Sequence, residues 1–413
     1  MTAREHPLPS LATGADYAEL AARFRPIFAR IAEGSVARER ERVLPYEQIQ
    51  WLKEAGFGAV RVPVEQGGGG ASLPQLLELL IELAAADSNI PQALRAHFAF
   101  VEDRLNAQAS APQEVWFKRF VAGELVGCAW TEVGSVKIGD VITRVSRQGE
   151  QWVVNGTKYY STGSLYADWI DLFSRRDDTG GDVIAVVRTQ QPGVQQKDDW
   201  DGFGQRTTGS GTSEFVNAVV EEENVIDFAS RFKYQTAFYQ LVLLAVIAGS
   251  GRAAVRDFAG EASRRTRVFS HGAGASTSQD PQVQQVIGKA SGLVYAAEAA
   301  SVRAAHAAQA AYQARFGNDA EAERQANIAA ELESAQAQVA AVDLVLRATS
   351  DLFNSLGASA TSTSRQLDRH WRNARTAASH NPVIYKERIL GDWEINATEP
   401  PYVWQIGGGA KQG

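Results

Sequence analysis

Between residues 126 and 225 the chain abandons helical periodicity for short β-branched and aromatic runs, and helical patterning returns on the far side. That order constrains the fold more than any other property of the chain. Upstream, Tyr17, Leu20, Ala21, Phe24, Ile27 and Ile31 recur at helical spacing, and residues 44–55, 73–86 and 90–105 repeat the habit, the last with Pro91 in its first turn. Pro63 and the four glycines 67–70 break this series, because neither fits a helix interior. In the middle stretch, residues 141–145, 152–155, 169–174, 183–188 and 215–220 predict short antiparallel strands bounded by turns. Downstream, residues 234–262 form a long apolar helical pattern interrupted by Gly249 and Gly251. Residues 283–316 and 320–356 are alanine-rich, which favours helix and permits close helix packing in a bundle. The pattern predicts an α+β protein in three parts: an N-terminal helical domain (1–125), a middle β-domain (126–225) and a C-terminal helical bundle (226–413).

A chain of 413 residues has room for two or three domains with large cores. With 41 basic against 48 acidic residues it carries no basic footprint for nucleic acid. The single cysteine, Cys128, excludes an intrachain disulfide framework and a cysteine-based zinc site, and it fits a reducing cytoplasm. No metal ligand set is evident. The first twenty residues lack the charged-then-apolar layout of a signal peptide. No uninterrupted apolar run reaches the roughly 18 residues of a membrane span; the longest, 241–248, reads as part of a buried helix.

Three polar runs carry the chemistry. Residues 199–215, DWDGFGQRTTGSGTSEF, alternate Gly209 and Gly211 with the hydroxyls of Thr207, Thr208, Ser210, Thr212 and Ser213. Glycines here let backbone amides approach a flat or anionic ligand. Hairpin turn chemistry accounts for the small residues, but not for Trp200, Phe203, Gln205 and Arg206 beside them, so the run reads as a ligand site. Residues 127–135, GCAWTEVGS, offer a ring, hydroxyls and amides at Trp130, Thr131 and Ser135, although a loop crossing between domains explains them equally well. In residues 155–163, NGTKYYSTG, Asn155-Gly156 is a strong hairpin-turn signal. The turn leaves Tyr160, Ser161 and Thr162 unexplained.

Together, and in this order, AWTEVGS, NGTKYYSTG and DWDGFGQRTTGSGT resemble the flavin-contacting segments of the acyl-CoA dehydrogenase superfamily. The resemblance spans nearly the whole chain and implies that fold: N-terminal helical domain, middle β-barrel domain, C-terminal four-helix bundle. It also implies a homotetramer in which an arginine of a neighbouring subunit reaches the flavin phosphate. One departure is decisive. A dehydrogenase needs a carboxylate to take the proton alpha to the thioester, yet no Asp or Glu lies between Asp368 and Glu387, where many members keep it.

The stretch there, with Trp371 to Thr376 reading WRNART and His380 following, is similar instead to the flavin-dependent monooxygenases of the superfamily, dibenzothiophene monooxygenase and the sulfur-acquisition oxidoreductases among them. The resemblance implies catalytic roles for His97, His380 and Thr162, the last where those relatives have serine; a second histidine of theirs is Ala377 here. It implies flavin contacts at Trp130, Thr131, Ser135, Thr162, Trp200 and Ser210, phosphate binding by Arg267, and a substrate pocket shaped by Trp200, Phe203 and His97. An imidazole can hydrogen-bond a flavin hydroperoxide and manage its proton near neutral pH, where a glutamate would repel it.

The expected function is therefore a two-component monooxygenase. Reduced FMN, with FAD as the alternative cofactor, and O2 would oxygenate a small neutral organosulfur or heteroaromatic substrate through a flavin hydroperoxide. No Gly-x-Gly-x-x-Gly follows a predicted strand, so the resemblance points to a separate NAD(P)H-dependent flavin reductase as partner. The rivals are an FAD-dependent acyl-CoA dehydrogenase with its base elsewhere, and a non-enzymatic flavin-binding or assembly protein.

Overall fold

The computed structural model describes residues 16–134, 137 and 139–403. Among these, seven α-helices precede the first strand: α1 (Tyr17–Glu33), α2 (Ser35–Glu41), α3 (Tyr46–Glu54), α4 (Leu73–Ala86), α5 (Asn89–Ala93), α6 (Arg95–Ala107) and α7 (Glu114–Val121). Capping chemistry sets the start of α4. The Ser72 hydroxyl accepts from the Gln75 amide while the Gln75 side chain accepts from the Ser72 amide, with Pro74 in the first turn. The single helix expected over 90–105 is two helices that divide at Leu94. The glycine run folds back on the segment before it: the Gly69, Gly70 and Ala71 amides donate to Ala59, Val62 and Val60 carbonyls at 2.9–3.1 Å.

One nine-stranded sheet follows: β1 (Val126–Ala129), β2 (Thr131–Glu132), β3 (Arg144–Gln148), β4 (Gln151–Tyr159), β5 (Trp169–Arg176), β6 (Asp182–Arg188), β7 (Val194–Gln196), β8 (Ser213–Val220) and β9 (Val225–Asp227). Its order is β7-β8-β4-β3-β5-β6-β9, with β1 added to β5 and β2 to β4. The sheet is mixed rather than antiparallel throughout, since β1 and β3 both run parallel to β5. Asn155-Gly156 is not a turn. It lies inside β4, where the register with β8 shifts between Val154 and Gly156, and a Cβ on Gly156 would lie 2.4 Å from Thr143 Oγ1. The hairpin turn is at Gly149-Glu150, with Gly149 at φ 63°.

Five helices complete the described chain: α8 (Gln235–Arg264), α9 (Pro281–Ala314), α10 (Ala320–Asp351), α11 (Arg369–Ser379) and α12 (Val383–Asn396). Gly249 and Gly251 do not interrupt α8. They let neighbours approach it, and a Cβ on Gly249 would lie 2.4 Å from Ala84 Cβ of α4. By length and composition α8 could cross a membrane, but its most apolar window is 83% buried within the fold.

Cores tie the three parts together. Phe24, Phe57, Leu76, Phe98, Phe238, Leu244, Val342 and Ala374 belong to one cluster shared by the N-terminal helices and the bundle. Phe100 of α6 and Trp116 and Phe120 of α7 pack on Trp169, Ile184 and Val186 of the sheet. α6 packs against β1 where these clusters approach one another, and α5, α6 and α11 all pack on α8.

Candidate active site

A chain of hydroxyls lies on the sheet side of that junction. Thr162 Oγ1 and Ser210 Oγ are 2.9 Å apart, Ser210 Oγ and Thr208 Oγ1 are 2.6 Å apart, and Thr208 donates to the Gln205 carbonyl at 3.0 Å. Thr162 and Ser210, 48 residues apart in sequence, are thus neighbours, and both are buried. Two non-glycine residues with positive φ flank the chain, Tyr160 at 57° and Gln205 at 52°. Backbone strain of this kind collects at ligand sites.

Trp130 stands beside it, in the link between β1 and β2. Its indole N–H donates to Asp171 Oδ1 at 2.7 Å, and its ring meets Phe173, Phe228 and Tyr239. Asp171 also accepts from Arg231 at 3.0 Å. Burial pushes the Asp171 carboxyl pKa up, outweighing the opposing pull of Arg231 and the indole. The indole N–H is therefore committed to the protein, and Trp130 can offer a ligand only its ring and backbone. Thr131 pairs with Tyr159 in the β2–β4 ladder and is half-buried.

His380 caps α11 from the bundle side. Arg95 Nη2, on α6, donates to His380 Nε2 at 2.9 Å, which leaves the ring proton on Nδ1, 3.3 Å from Asn381 Oδ1. Asn381 is itself held by Gln240 of α8 at 3.0 Å and, through its carbonyl, by Gln338 of α10 at 2.6 Å. The His380 residue is exposed at the rim of the single chain, while its ring is crowded by protein. Desolvation by that crowding and then the Arg95 charge hold its pKa down to about 3. His380 is neutral at physiological pH.

His97 is held by the backbone on both sides of its ring. It is fully buried on α6, its Nδ1 accepts from the Val126 amide at 3.3 Å, and its Nε2 donates to the Gly58 carbonyl at 2.8 Å. Phe98 and Phe120 close edge-on around the ring. Burial lowers its pKa to about 4. Both nitrogens are spent on backbone, so His97 is a strut between α6, β1 and the turn at Gly58, and it has no free atom for oxygen or substrate.

Trp200 and Phe203 lie on the loop between β7 and β8. The Trp200 indole donates to the Gln205 carbonyl of its own loop at 3.0 Å, with the Tyr160 ring 5.7 Å away. Phe203 is 56% exposed and stacks on Trp371 at 6.0 Å. Trp371 precedes His380 by nine residues on α11, about 13 Å at the helical rise. Phe203 and Trp371 thus form an exposed aromatic pair near the start of α11. Arg267 is exposed, beyond the far end of α8. From Tyr239 to Arg264 that helix extends about 38 Å, so Arg267 cannot reach the Thr162 site of its own chain. Ser135 lies outside the described residues.

Sequence reasoning missed Arg95 and Tyr239. Arg95 was visible as the one charge in the otherwise uncharged run 89–101, NIPQALRAHFAFV. Tyr239, beneath the Arg95 guanidinium at 5.0 Å, gave no signal. Several buried polar atoms at the junction have no partner: Ser161 Oγ, Ser213 Oγ, Gln92 Oε1, Arg95 Nε and Tyr239 Oη. Unsatisfied donors and acceptors in a native fold suit a polar ligand that completes them. A flavin ring, with its edge of nitrogens and carbonyls, has the matching chemistry.

Residues 128–218 match the acyl-CoA dehydrogenase middle domain, and residues 241–384 match the acyl-CoA dehydrogenase C-terminal domain. The chain is 26% identical to FMN-bound TdsC from Paenibacillus sp. A11-2, a dibenzothiophene monooxygenase, with TM-score 0.81 over 92% of this chain and 98% of that one. It is also 26% identical to the methanesulfinate monooxygenase MsuC from Pseudomonas fluorescens, with TM-score 0.80 over 92% and 98%. A relative in sequence is the probable FMNH2-dependent monooxygenase SfnC of Pseudomonas putida, 25% identical over 91% of this chain and 94% of that protein.

Proposed function

As the chain carries the middle and C-terminal domains of the acyl-CoA dehydrogenase family and belongs to that superfamily, we propose that it is the oxygenase of a two-component FMN-dependent monooxygenase acting on a small organosulfur compound. One observation carries this reading. Where a dehydrogenase of this family would place its carboxylate base, the chain has no acidic residue from 369 to 386 and presents a neutral His380 capped by a guanidinium. Such a pair offers N–H hydrogen-bond donors, and with His380 Nε2 occupied by Arg95 it keeps no lone pair free to take a proton from carbon.

Reduced FMN, when bound, supplies the two electrons that divide dioxygen between substrate and water. The chain supplies the rest. Thr162, Ser210 and Thr131, with the Trp130 ring and backbone, would hold the flavin. His380, oriented by Asn381, Gln240 and Gln338, would keep its proton at Nδ1 and hold the Arg95 guanidinium through Nε2. The three-domain junction would exclude water, which limits wasteful loss of reduced cofactor.

The FMN-bound TdsC and the name of SfnC support FMN delivered in reduced form, hence a separate reductase. The placement of Arg267 supports a homotetramer in which it serves the flavin phosphate of another subunit. Exposed Val268 and Phe269 beside it, and Tyr295, offer apolar surface for that assembly. The single reduced thiol, Cys128, fits a cytoplasmic location.

The test is anaerobic mixing with reduced FMN followed by a pulse of isotopically labelled oxygen. The expected result is a return of oxidised-flavin absorbance slowed well below the free-solution rate, and label in an organosulfur product. Free-solution return, together with bleaching of bound oxidised flavin by an acyl-CoA, would instead establish a dehydrogenase.

A further inference from the structure

Six arginines are buried among the described residues: Arg38, Arg61, Arg95, Arg104, Arg231 and Arg369. Five have a carboxylate. Arg38 pairs with Asp87, Arg61 with Glu102, Arg104 with Asp103, Arg231 with Asp171 and Arg369 with Asp257. Arg95, 6% exposed, has none. Its one hydrogen-bond acceptor among the described residues is the neutral His380, its Nε is buried without a partner, and it lies over the Tyr239 ring. A buried cation without a counter-charge is costly unless something anionic completes it. A guanidinium with unused donors presents a fork suited to two oxygens of one anion.

We propose that Arg95, with the unpartnered Tyr239 hydroxyl beside it, is the anion receptor of the substrate pocket, so that the substrate is a small organosulfur oxyanion, an organic sulfinate. This rests on the monooxygenase reading. The fold itself does not choose, since of the two structural neighbours named above one is named for a neutral fused thiophene and the other for a sulfinate. Arg95 makes the choice here. Its charge would be wasted on a neutral ring and would have to be stripped of water to admit one.

Among sulfur oxyanions a sulfinate also keeps a sulfur lone pair to accept oxygen, which a sulfonate lacks. The reaction balances as sulfinate, dioxygen and reduced FMN giving sulfonate, water and oxidised FMN. One oxygen atom forms the new S–O bond. The other leaves as water, with two protons and two electrons from the reduced flavin. The anion need not come from substrate alone, because reduced flavin is also anionic. Arg95 is placed with His380 and Tyr239, on the N-terminal and bundle walls, whereas the hydroxyls suited to flavin belong to the sheet.

The experiment is calorimetric titration of the full-length protein, with and without oxidised FMN, using methanesulfinate and benzenesulfinate as anionic probes and dibenzothiophene as the neutral one. FMN affinity, oxidised and reduced, is measured first in every variant. Wild type is expected to prefer the sulfinates. Arg95→Met should weaken them about 10- to 100-fold, the range for hydrogen bonds to a charged group; Arg95→Lys should recover part of that, and Tyr239→Phe should weaken them about 3- to 10-fold. FMN affinity should hold throughout. Tyr239→Phe, which removes one hydroxyl, serves if Arg95→Met does not fold. Sulfinate affinity unchanged in both variants, or tighter binding of dibenzothiophene by wild type, overturns the proposal. So does a loss of reduced-FMN affinity in Arg95→Met with sulfinate binding intact, which would assign Arg95 to the flavin. Failure of wild type to bind FMN overturns the monooxygenase reading instead, and sulfinate binding by the flavin-free chain still decides Arg95.

Discussion

His97→Gln separates a strut from a catalyst. In the native protein His97 is fully buried and neutral, with a pKa lowered from 6.5 to about 4. A depressed folded pKa means that the unfolded chain takes up the proton first. Stability from this residue is therefore complete above pH 6.5 and is lost as pH falls from there toward 4. At pH 5 the loss amounts to about 2 kcal/mol, one and a half pH units at about 1.4 kcal/mol each. Glutamine can keep the donor to the Gly58 carbonyl but leaves the Val126 amide without its acceptor, which costs about 1–3 kcal/mol at any pH. Denaturant titrations followed by tryptophan fluorescence from pH 8 to 5 should show the variant less stable at pH 8, with the gap closing by about 2 kcal/mol at pH 5. Since the remaining titrating groups are common to both proteins, the difference isolates His97. Oxygenation by the folded variant at pH 7 should stay within a few-fold of wild type. A pH-independent stability gap would refute the buried neutral histidine. A folded variant with oxygenation lost by orders of magnitude would refute the strut.

Thr162→Val should reduce FMN affinity about 10-fold, as one hydrogen-bonding hydroxyl is lost from the Thr162–Ser210–Thr208 chain, while Thr162→Ser should retain it; fluorescence quenching of FMN measures both. Arg267→Ala should weaken FMN by about 10- to 100-fold, as for a lost charged hydrogen bond to phosphate. Because Arg267 cannot reach its own chain's site, mixed oligomers of Arg267→Ala with Thr162→Val should contain some fully intact sites. Their tight-binding FMN fraction should exceed that of either parent, and equality with the parents would remove the shared-site reading.

The helical, strand and helical succession was legible because periods of 3.6 and 2 are local properties of the chain. What crossed long distances was not. Asn155-Gly156 carries the letters of a hairpin, yet Thr143 presses on Gly156 and the Asn217 amide donates to Asn155 Oδ1, making it a bulge. The parallel pairing of β1 with β5 leaves no mark in either strand. The glycines of α8 looked like breaks because a helical pattern cannot show that α4 lies against them. At the site, the density of hydroxyls over 207–213 announced a polar surface, and Thr162 and Ser210 do meet. Histidine placement was harder. A histidine on an apolar helix looks the same whether its nitrogens face a ligand or two backbone groups 39 and 29 residues away.

Gly163 shows why the site depends on all three parts at once. It follows Thr162 directly, adopts φ 78°, and a Cβ there would lie 2.0 Å from the Ala93 carbonyl at the end of α5. This near contact brings the hydroxyl-bearing segment of the sheet against the chain just two residues before Arg95. From the other side, Asn381 ties His380 to α8 and α10 while Arg95 reaches across to it. Hydroxyls, guanidinium and imidazole thus come from three regions that share no local sequence signal, and each is fixed by backbone or by buried side chains rather than by a mobile loop. A scaffold of this kind keeps the flavin-facing hydroxyls constant while a single helix position, 95, decides whether the opposite wall of the pocket is charged. Substrate class can then change without disturbing the cofactor.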